Sequence, residues 1–291
     1  MKAVVQTFKS ISGDTKAVWG VILLVVILDA IGMARTGMSL RPWLLPTIIL
    51  PVAGLLGLAW VYRRRDPRIA VFARIAAALG AFTPAAALLS YLTVAWGRPL
   101  VDARLVAFDR SLGLDWPAAY AWVASHHALH TVLAVAYFSL LYQMIALLLV
   151  FNARGEAGRC REVLWLFMAA CLAFMPFSAL WPALGAFGYF HVQENEPYVR
   201  IFQSLRDGNL KVFAQDPVEG IIQFPSLHAG LAIIYTYAAR GMKVLFPLFL
   251  VFNLLLLIAT PFIGGHHFAD LWGGIILTAA VILAARPMLS R

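Results

Sequence analysis

Charged residues are scarce in this chain of 291 residues. Asp, Glu, Lys and Arg together make up 13% of it, while 62% of the residues are hydrophobic. A typical soluble domain has roughly a quarter of its residues charged and about half apolar. The shortage of charge therefore excludes an ordinary soluble domain and predicts an integral membrane protein.

Cysteine is also scarce. Of the two cysteines, Cys160 falls in a polar connection and Cys171 falls inside an apolar segment. Thiols in such places are not expected to form a structural disulfide.

Internal repeats are missing as well. The lack of an inverted repeat counts against a channel or transporter, which stays open as one alternative.

Long apolar segments are what the chain has in abundance. Eight of them approach the roughly 20 residues that a helix needs to cross a bilayer. Stretches such as "LFLVFNLLLLIA" do not alternate between apolar and polar residues, which argues against a closed β-barrel. The sequence therefore predicts an all-α integral membrane protein with about eight transmembrane helices, near residues 18–36, 43–62, 72–96, 128–151, 163–187, 225–239, 244–263 and 266–285.

The basic stretch "YRRRDPR" (62–68) is the best internal boundary. It separates a two-helix membrane extension, residues 1–68, from a six-helix core, residues 69–291, whose longest outer connection is 188–220. A shorter connection, residues 100–113, has Val101, Leu105, Phe108 and Leu112 on one helical stripe. That pattern predicts a short helix in the outer membrane interface.

The distribution of basic residues predicts the orientation. With the N-terminus inside, fifteen of the 23 Lys and Arg residues fall on the inner side, as the positive-inside rule requires. Both termini are then expected in the cytoplasm of what is interpreted as a bacterial inner membrane. The net charge of +9 is explained by topology, so no nucleic-acid partner is predicted. All seven histidines fall on the outer, periplasmic side.

Two polar motifs border apolar segments on that side. In "GGHHFAD" (264–270), His266 and Asp270 are four residues apart and share one helical face. A carboxylate in that position can accept from one ring nitrogen and leave the other nitrogen free as a nucleophile or base.

In "FPSLHAG" (224–230), Ser226 offers a hydroxyl at the start of a helix and His228 follows two residues later. A helix N-terminus carries unpaired N–H groups that attract an anion. Two histidines, a carboxylate and an anion site are what phosphoryl transfer through a histidine requires. One histidine attacks phosphorus, and the other protonates the leaving oxygen.

Together the two motifs resemble the signature blocks of the type-2 phosphatidic acid phosphatase superfamily, which read approximately P-S-G-H and S-R-x5-H-x3-D. The form F-P-S-L-H with G-H-H-x2-D is most similar to the branch that includes the inositol phosphorylceramide synthases. The resemblance implies a six-helix core and no cofactor. It also implies that His266 is the nucleophile, that Asp270 orients it, and that His228 is the general acid and base.

The chain departs from that pattern at four positions. Leu227 replaces the glycine of the first block, and Ala259 and Thr260 stand where the second block has serine and arginine. Tyr91 replaces the lysine of an early block echoed in "YLTVAWGRP". A bound phosphate normally needs a basic partner. The predicted substitutes are basic residues of the outer segments, with solvated surface charges as the alternative. The predicted phosphate-binding set is Ser226, Arg206, Arg200, Lys211, Arg98, Gly265 and His267.

The favoured function is a lipid phosphoesterase that transfers a phosphoryl-linked head group to a lipid alcohol. Hydrolysis of a lipid phosphate or polyprenyl diphosphate at the same site is the alternative. The expected partners are thus a lipid phosphate, a lipid alcohol or water, and membrane lipids. Aromatic residues of segment 188–220 are interpreted as a lid that excludes water, or else as interfacial anchors.

Metal binding is the remaining alternative. His228, His266, His267 and Asp270 could together hold a metal ion. In "SHHALH" (125–130), His126 and His130 are also four apart, but without a nearby cysteine or carboxylate pair they are interpreted as packing residues. No metal is predicted.

Overall fold

The computed structural model describes residues 2–193, 196–213 and 221–289. These residues are almost entirely helical and include one two-stranded parallel ladder, β1 (Ser39–Leu40) with β2 (Val212–Phe213). The helices are α1 (Lys2–Thr36), α2 (Leu44–Tyr62), α3 (Pro67–Ala95), α4 (Asp102–Ser111), α5 (Trp116–Ser125), α6 (His127–Phe138), α7 (Leu140–Ala153), α8 (Ala157–Leu180), α9 (Ala186–Tyr189), α10 (Pro197–Arg206), α11 (Leu227–Ala238), α12 (Leu245–Ile263) and α13 (Phe268–Leu289).

Six of these helices are long and apolar enough to cross a membrane, namely α1, α2, α3, α8, α12 and α13. The prediction of an all-α integral membrane protein is confirmed. The segment predicted at 128–151 is broken at Ser139 into α6 and α7, which meet at 47° and make a seventh span if counted together. The segment predicted at 225–239 forms only the 12-residue α11, about 18 Å long. It is shorter than a full span.

Residues that favour helix starts explain several boundaries. Asp66 caps α3 by accepting a hydrogen bond from the Arg68 N–H, and Pro67 takes the first helical position, where no N–H is needed. Ser226 caps α11 by accepting from the Ala229 N–H. The helix α8 ends at Leu180 because Trp181 precedes Pro182, and the proline ring disfavours a helical backbone in the residue before it.

The short helix α11 lies at the centre of the bundle, packed against α7, α8, α12 and α13. Its side chain Tyr235 is fully buried, in a core that also includes Phe82, Phe151 and Phe174. The extension helices α1 and α2 pack on α3, the helix that follows them. At the end of α11 remote from His228, Arg240 binds Glu162 of α8 at 2.7 Å.

The connections that were predicted to be outer are packed rather than open. In α4 and its two flanking residues, Val101 and Leu105 of the predicted stripe are buried, whereas Phe108 and Leu112 are 47% and 53% exposed. Two residues of the predicted stripe therefore pack inside the protein, and the other two are exposed on its surface. The apolar stripe gave no indication that the acidic face of α4 is buried as well. Asp102 and Asp109 both point into the protein.

Small residues allow α11 and α13 to approach closely. A Cβ atom at Gly230 would lie 2.6 Å from Thr278 Oγ1 and 2.9 Å from the Phe174 ring. A Cβ atom at Gly274 would overlap the carbonyl oxygen of Ser226. Close helix contacts through glycine are typical of membrane bundles. Here they press the N-terminus of α11, with Ser226, against the first turns of α13.

We expect Gly274→Ala to destabilise the protein by about 1–3 kcal/mol, because the added methyl group has to displace the Ser226 backbone. The matched control is Gly57→Ala in α2, where a Cβ meets no atom within 4 Å. That change should be neutral or slightly stabilising. Thermal unfolding of the purified protein in detergent measures both, and equal melting temperatures for the two variants would contradict the packing argument.

Candidate active site

His266 lies in the short loop between α12 and α13 and is only 1% exposed. Its Nδ1 atom is 3.0 Å from the Gln223 carbonyl oxygen and 3.2 Å from Asp270 Oδ2. Because a carbonyl oxygen can only accept, Nδ1 carries the ring proton and donates it. The other nitrogen, Nε2, therefore has the free electron pair that a nucleophile needs. Burial lowers the pKa of His266 to about 3, which keeps this imidazole neutral.

The second histidine of the pair, His228, faces His266 with ring centroids 6.0 Å apart. Tyr137 of α6 stacks on the His228 ring at 4.5 Å between centroids, and its hydroxyl lies 3.4 Å from His228 Nδ1. The Tyr137 hydroxyl can donate to Nδ1 of a neutral His228 ring or accept from Nδ1–H of a protonated one. The protonated ring can give its Nε2 proton to a leaving oxygen, and the neutral ring can take a proton back.

Ser226 joins the two motifs. Its hydroxyl oxygen is 3.4 Å from His266 Nε2 and accepts from the Ala229 N–H at 3.3 Å. Its own backbone N–H donates to the Asp270 carbonyl oxygen at 3.0 Å. The first turn of α11 therefore begins beside the reactive nitrogen of His266, where its N–H groups and partial positive charge favour an anion.

The acidic face of α4 holds the loop that carries the histidines. Asp102 accepts from the backbone N–H groups of Leu184 and Gly185 at 3.0 and 2.9 Å, and it contacts His267 Nε2 at 3.0 Å. The Phe268 N–H donates to Asp109 at 3.0 Å. Both carboxylates are nearly fully buried. Asp102 and Asp109 therefore join the loop between α8 and α9 to the loop before α13.

His267 is fully buried between these acids, and its backbone N–H donates to Asp270 Oδ2 at 2.8 Å. Burial alone would lower the pKa of His267. The hydrogen bond to Asp102 and the charges of Asp270, Asp102 and Asp109 outweigh burial and raise the pKa above its usual value. This direction favours the protonated form of the His267 ring among the carboxylates around it.

Gly265 has a left-handed backbone, with φ of 65°. Its carbonyl oxygen accepts from the Ala186 N–H at 2.6 Å, and a Cβ atom there would lie 2.6 Å from the Tyr198 hydroxyl. The loop before His266 is thus packed tightly under Phe187 and Tyr198. The predicted role of Gly265 in phosphate binding stays a prediction, because its described contacts are with protein groups.

Aromatic residues of the predicted lid cover this region. Tyr198, Phe202 and Phe213 are at most 8% exposed and pack in one cluster with Trp116 and Phe187. Tyr189 is 37% exposed. For the three buried rings, the packed position argues against an anchoring role in the membrane interface. Residues 194–195 and 214–220 of the predicted lid lie outside the described residues.

An apolar cavity of about 190 Å³ opens beside His228. Helices α3, α7, α8 and α11 line it, with Ser90, Cys171, Met175 and Leu231 among the lining side chains. Such a cavity suits the hydrocarbon part of a lipid next to the reacting group.

The predicted basic residues lie elsewhere in the outer region. Arg206 donates to the Arg98 carbonyl oxygen at 2.8 Å, and Lys211 donates to the Thr36 carbonyl oxygen at 3.2 Å. Arg206 and Lys211 both line a cavity at the ends of α1, α3 and α10, which does not include His228 or His266. Arg200 is exposed on α10. Their predicted role in binding the reacting phosphate stays a prediction.

The packing role predicted for His126 and His130 stays a prediction. His126 Nδ1 is 2.7 Å from the Trp122 carbonyl oxygen, and the His126 ring lies 4.4 Å from the Trp122 ring. His130 is partly buried on α6. Within the described part of the chain, no group of three or more His, Cys, Asp or Glu residues has the arrangement of a metal site.

Sequence reasoning missed several residues of the site. Gln223 contributes a backbone carbonyl, and Tyr137 is an ordinary aromatic residue in an apolar helix, so neither carries a signal in the sequence. Asp102 and Asp109 did carry a signal in the sequence. They are seven residues apart in a short helix, and that spacing places both carboxylates on one face.

A family model described as the PAP2 superfamily matches residues 103–284, more than half of the chain. The matched region begins within α4 and includes both motifs and every residue of the site described above except Asp102. Comparison with curated proteins and with solved structures gave no match. With the histidine motifs, the buried acids and the membrane-spanning helices in place, the match shows that the chain belongs to the type-2 phosphatidic acid phosphatase (PAP2) superfamily, whose members are membrane phosphatases and phosphotransferases of lipid phosphates.

Proposed function

We propose that the protein transfers a phosphoryl-linked head group from a donor lipid to a lipid alcohol through a phosphohistidine on His266. The observation that carries this proposal is the hydrogen bond from His266 Nδ1 to the Gln223 carbonyl and Asp270, with Nε2 facing Ser226 at 3.4 Å. That arrangement presents a neutral nitrogen nucleophile beside the start of a helix.

In the first step, His266 Nε2 attacks phosphorus and the bond from phosphorus to the donor's alcohol oxygen breaks. His228, protonated on both ring nitrogens, gives its Nε2 proton to that oxygen and becomes neutral, so the donor leaves as a neutral alcohol. The N–H groups at the start of α11 stabilise the nonbridging oxygens. In the second step, His228 takes the proton of the acceptor hydroxyl. The acceptor oxygen bonds to phosphorus, and the bond from phosphorus to His266 breaks.

The residues around His266 suit a phosphodiester substrate. A monoester carries up to two negative charges and a diester carries one, so a diester needs fewer basic partners. Among the described residues, the nearest polar groups around the His266 nucleophile are Ser226, the Gln223 carbonyl and Asp270. We therefore propose a head group linked as a phosphodiester, as the likeness to the inositol phosphorylceramide synthases implies.

Removing either histidine should abolish turnover. We expect His266→Ala and His228→Ala each to lower kcat by at least about 10³-fold, and the double variant to lose no more than the worse single variant, because the two act as one unit. A panel of radiolabelled lipid phosphates and phosphodiesters measures this, in buffer with and without EDTA.

The matched control is His126→Ala, an exposed histidine on the same side of the protein, which should retain turnover. EDTA should leave turnover unchanged, since the proposed chemistry uses no divalent ion. Substantial activity in His266→Ala, or loss on chelation that zinc or manganese restores, would contradict the proposal.

Exclusion of water supports transfer over hydrolysis. Water outnumbers any lipid acceptor, so a transferase has to keep it from the phosphohistidine. Ser226 and His266 are at most 1% exposed, and the buried rings of Phe187 and Tyr198 pack against Gly265 in the loop before His266. The apolar cavity beside His228 offers a path for a lipid acceptor.

Adding a lipid alcohol should therefore increase donor consumption. We expect ceramide or diacylglycerol to yield a new phosphosphingolipid or phospholipid, with slow hydrolysis as a side reaction, as chromatography of a labelled donor would show. A purified protein that releases only free phosphate or phospho-head group, whichever acceptor is offered, is a hydrolase acting through the same histidines.

We also propose that the site faces the periplasm and that both termini are cytoplasmic. The basic side chains of Arg64, Arg154 and Arg240 lie at the ends of α2, α7 and α11 that are remote from the histidine motifs. The positive-inside rule assigns that end to the cytoplasm.

Single cysteines test this orientation. In a background of Cys160→Ala and Cys171→Ala, the exposed alanines at the ends of α5 and α7 offer a matched pair, Ala124→Cys and Ala153→Cys. An impermeant thiol reagent on intact bacterial spheroplasts should label Ala124→Cys and spare Ala153→Cys until the membrane is broken. The opposite pattern would place the site in the cytoplasm.

A further inference from the structure

A second cavity, of about 520 Å³, lies where α1, α3 and α10 end. Three of its lining side chains are basic, namely Arg35, Arg206 and Lys211, and none of the described residues that line it is acidic. Asp207 follows Arg206 in the chain but is exposed and does not line the cavity. The cavity therefore concentrates positive charge at one place on the outer side.

Two of the three cations are held in place by the protein. Arg206 donates to the Arg98 carbonyl oxygen at 2.8 Å, and its guanidinium lies 5.9 Å from the centre of the Phe202 ring. Lys211 donates to the Thr36 carbonyl oxygen at 3.2 Å. A guanidinium has five N–H donors and an ammonium has three, so each group keeps donors for a ligand.

This cavity is separate from the histidine site. Tyr198, near the start of α10, packs against the loop of Gly265, whereas Arg206 ends the same helix. Eight residues of helix separate the two positions by about 12 Å. An anion held by Arg206 and Lys211 is therefore a different group from a phosphate bound to His266.

An apolar cavity of about 530 Å³ follows the basic cavity along the same helix faces. On α1, Met33 lines the apolar cavity and Thr36 lines the basic one, three residues later. On α3, Leu88 lines the apolar cavity and Ala95 lines the basic one, seven residues later. These spacings keep each pair on one face of its helix.

The composition of the apolar cavity is that of a lipid-facing surface. Helices α1, α2 and α3 supply its walls, and Asp29 is its one acidic lining residue among the described residues. The basic cavity lies at the ends of two membrane-spanning helices, α1 and α3, beside the exposed Trp96. Tryptophan is typical of the head-group level of a bilayer. A charged region at that level with an apolar groove beneath it has the two parts of a phospholipid.

We propose that these cavities bind an anionic membrane lipid, with its phosphate between Arg35, Arg206 and Lys211 and its chains along α1, α2 and α3. Basic pockets beside membrane helices bind anionic head groups by charge and hydrogen bonding. This site is distinct from the proposed catalytic histidines and does not depend on their reaction, so its test measures binding and not turnover.

The experiment is native mass spectrometry of the purified protein in detergent, titrated with dioleoyl phosphatidylglycerol, dioleoyl phosphatidylcholine or inorganic phosphate. We expect tighter binding of phosphatidylglycerol than of phosphatidylcholine. The triple variant Arg35→Gln, Arg206→Gln and Lys211→Gln should lose this preference, with the phosphatidylglycerol affinity lowered by at least about tenfold. The matched control is Arg110→Gln on α4, an exposed arginine outside both cavities.

Thermal unfolding of each variant checks that the fold is retained, and the single variant Arg35→Gln, in an exposed position, should weaken binding in the same direction. Equal affinity of the wild-type protein for the two lipids would overturn the proposal. So would a folded triple variant that keeps the preference, or inorganic phosphate that binds as tightly as the anionic lipid.

Discussion

The contact between the start of α11 and the first turns of α13 is the constraint on which the rest of the site depends. The Ser226 N–H donates to the Asp270 carbonyl, and Gly274 leaves room for the Ser226 backbone. Motifs 40 residues apart in sequence are joined there. Because α11 is too short to cross the membrane alone, its N-terminus begins within the bundle, beside the loop of His266. A full-length span in its place would move Ser226 and His228 away from the nucleophile.

Charge balance explains why so many acids surround that contact. Asp102, Asp109 and Asp270 are nearly fully buried in a protein with few charged residues. A buried carboxylate is costly unless it is hydrogen-bonded or paired. Backbone N–H groups of two loops satisfy part of that requirement, and the His267 ring contacts Asp102. The network thus fixes the loop backbone, while the His266 ring next to it stays neutral because burial lowers its pKa.

Features that depend on composition and local spacing could be predicted from the sequence. Six of the eight predicted apolar segments form membrane-spanning helices. The predicted contact between His266 and Asp270 is present, although His266 lies in the loop before α13 and not on its helical face. The break at Ser139 could not be predicted, since neither glycine nor proline marks it. The role of the Gln223 carbonyl could not be predicted either, because every residue type has a backbone oxygen. Arg206 and Lys211 were recognised as phosphate-binding candidates, but their position was decided by tertiary packing, which no local pattern contains.

The distribution of basic residues also bears on how a phosphate reaches the histidines. A guanidinium beside His266 would stabilise a doubly charged phosphate. It would also have to be buried next to His267, whose raised pKa favours the charged ring, and repulsion between two cations grows in a medium of low polarity. The first turn of α11 avoids this conflict, because its partial charge comes from backbone N–H groups and adds no ion to the interior. A helix terminus provides about half an elementary charge. That is a better match for the single charge of a phosphodiester than for a monoester dianion, and it supports the proposal that this member of the superfamily acts on head groups in diester linkage.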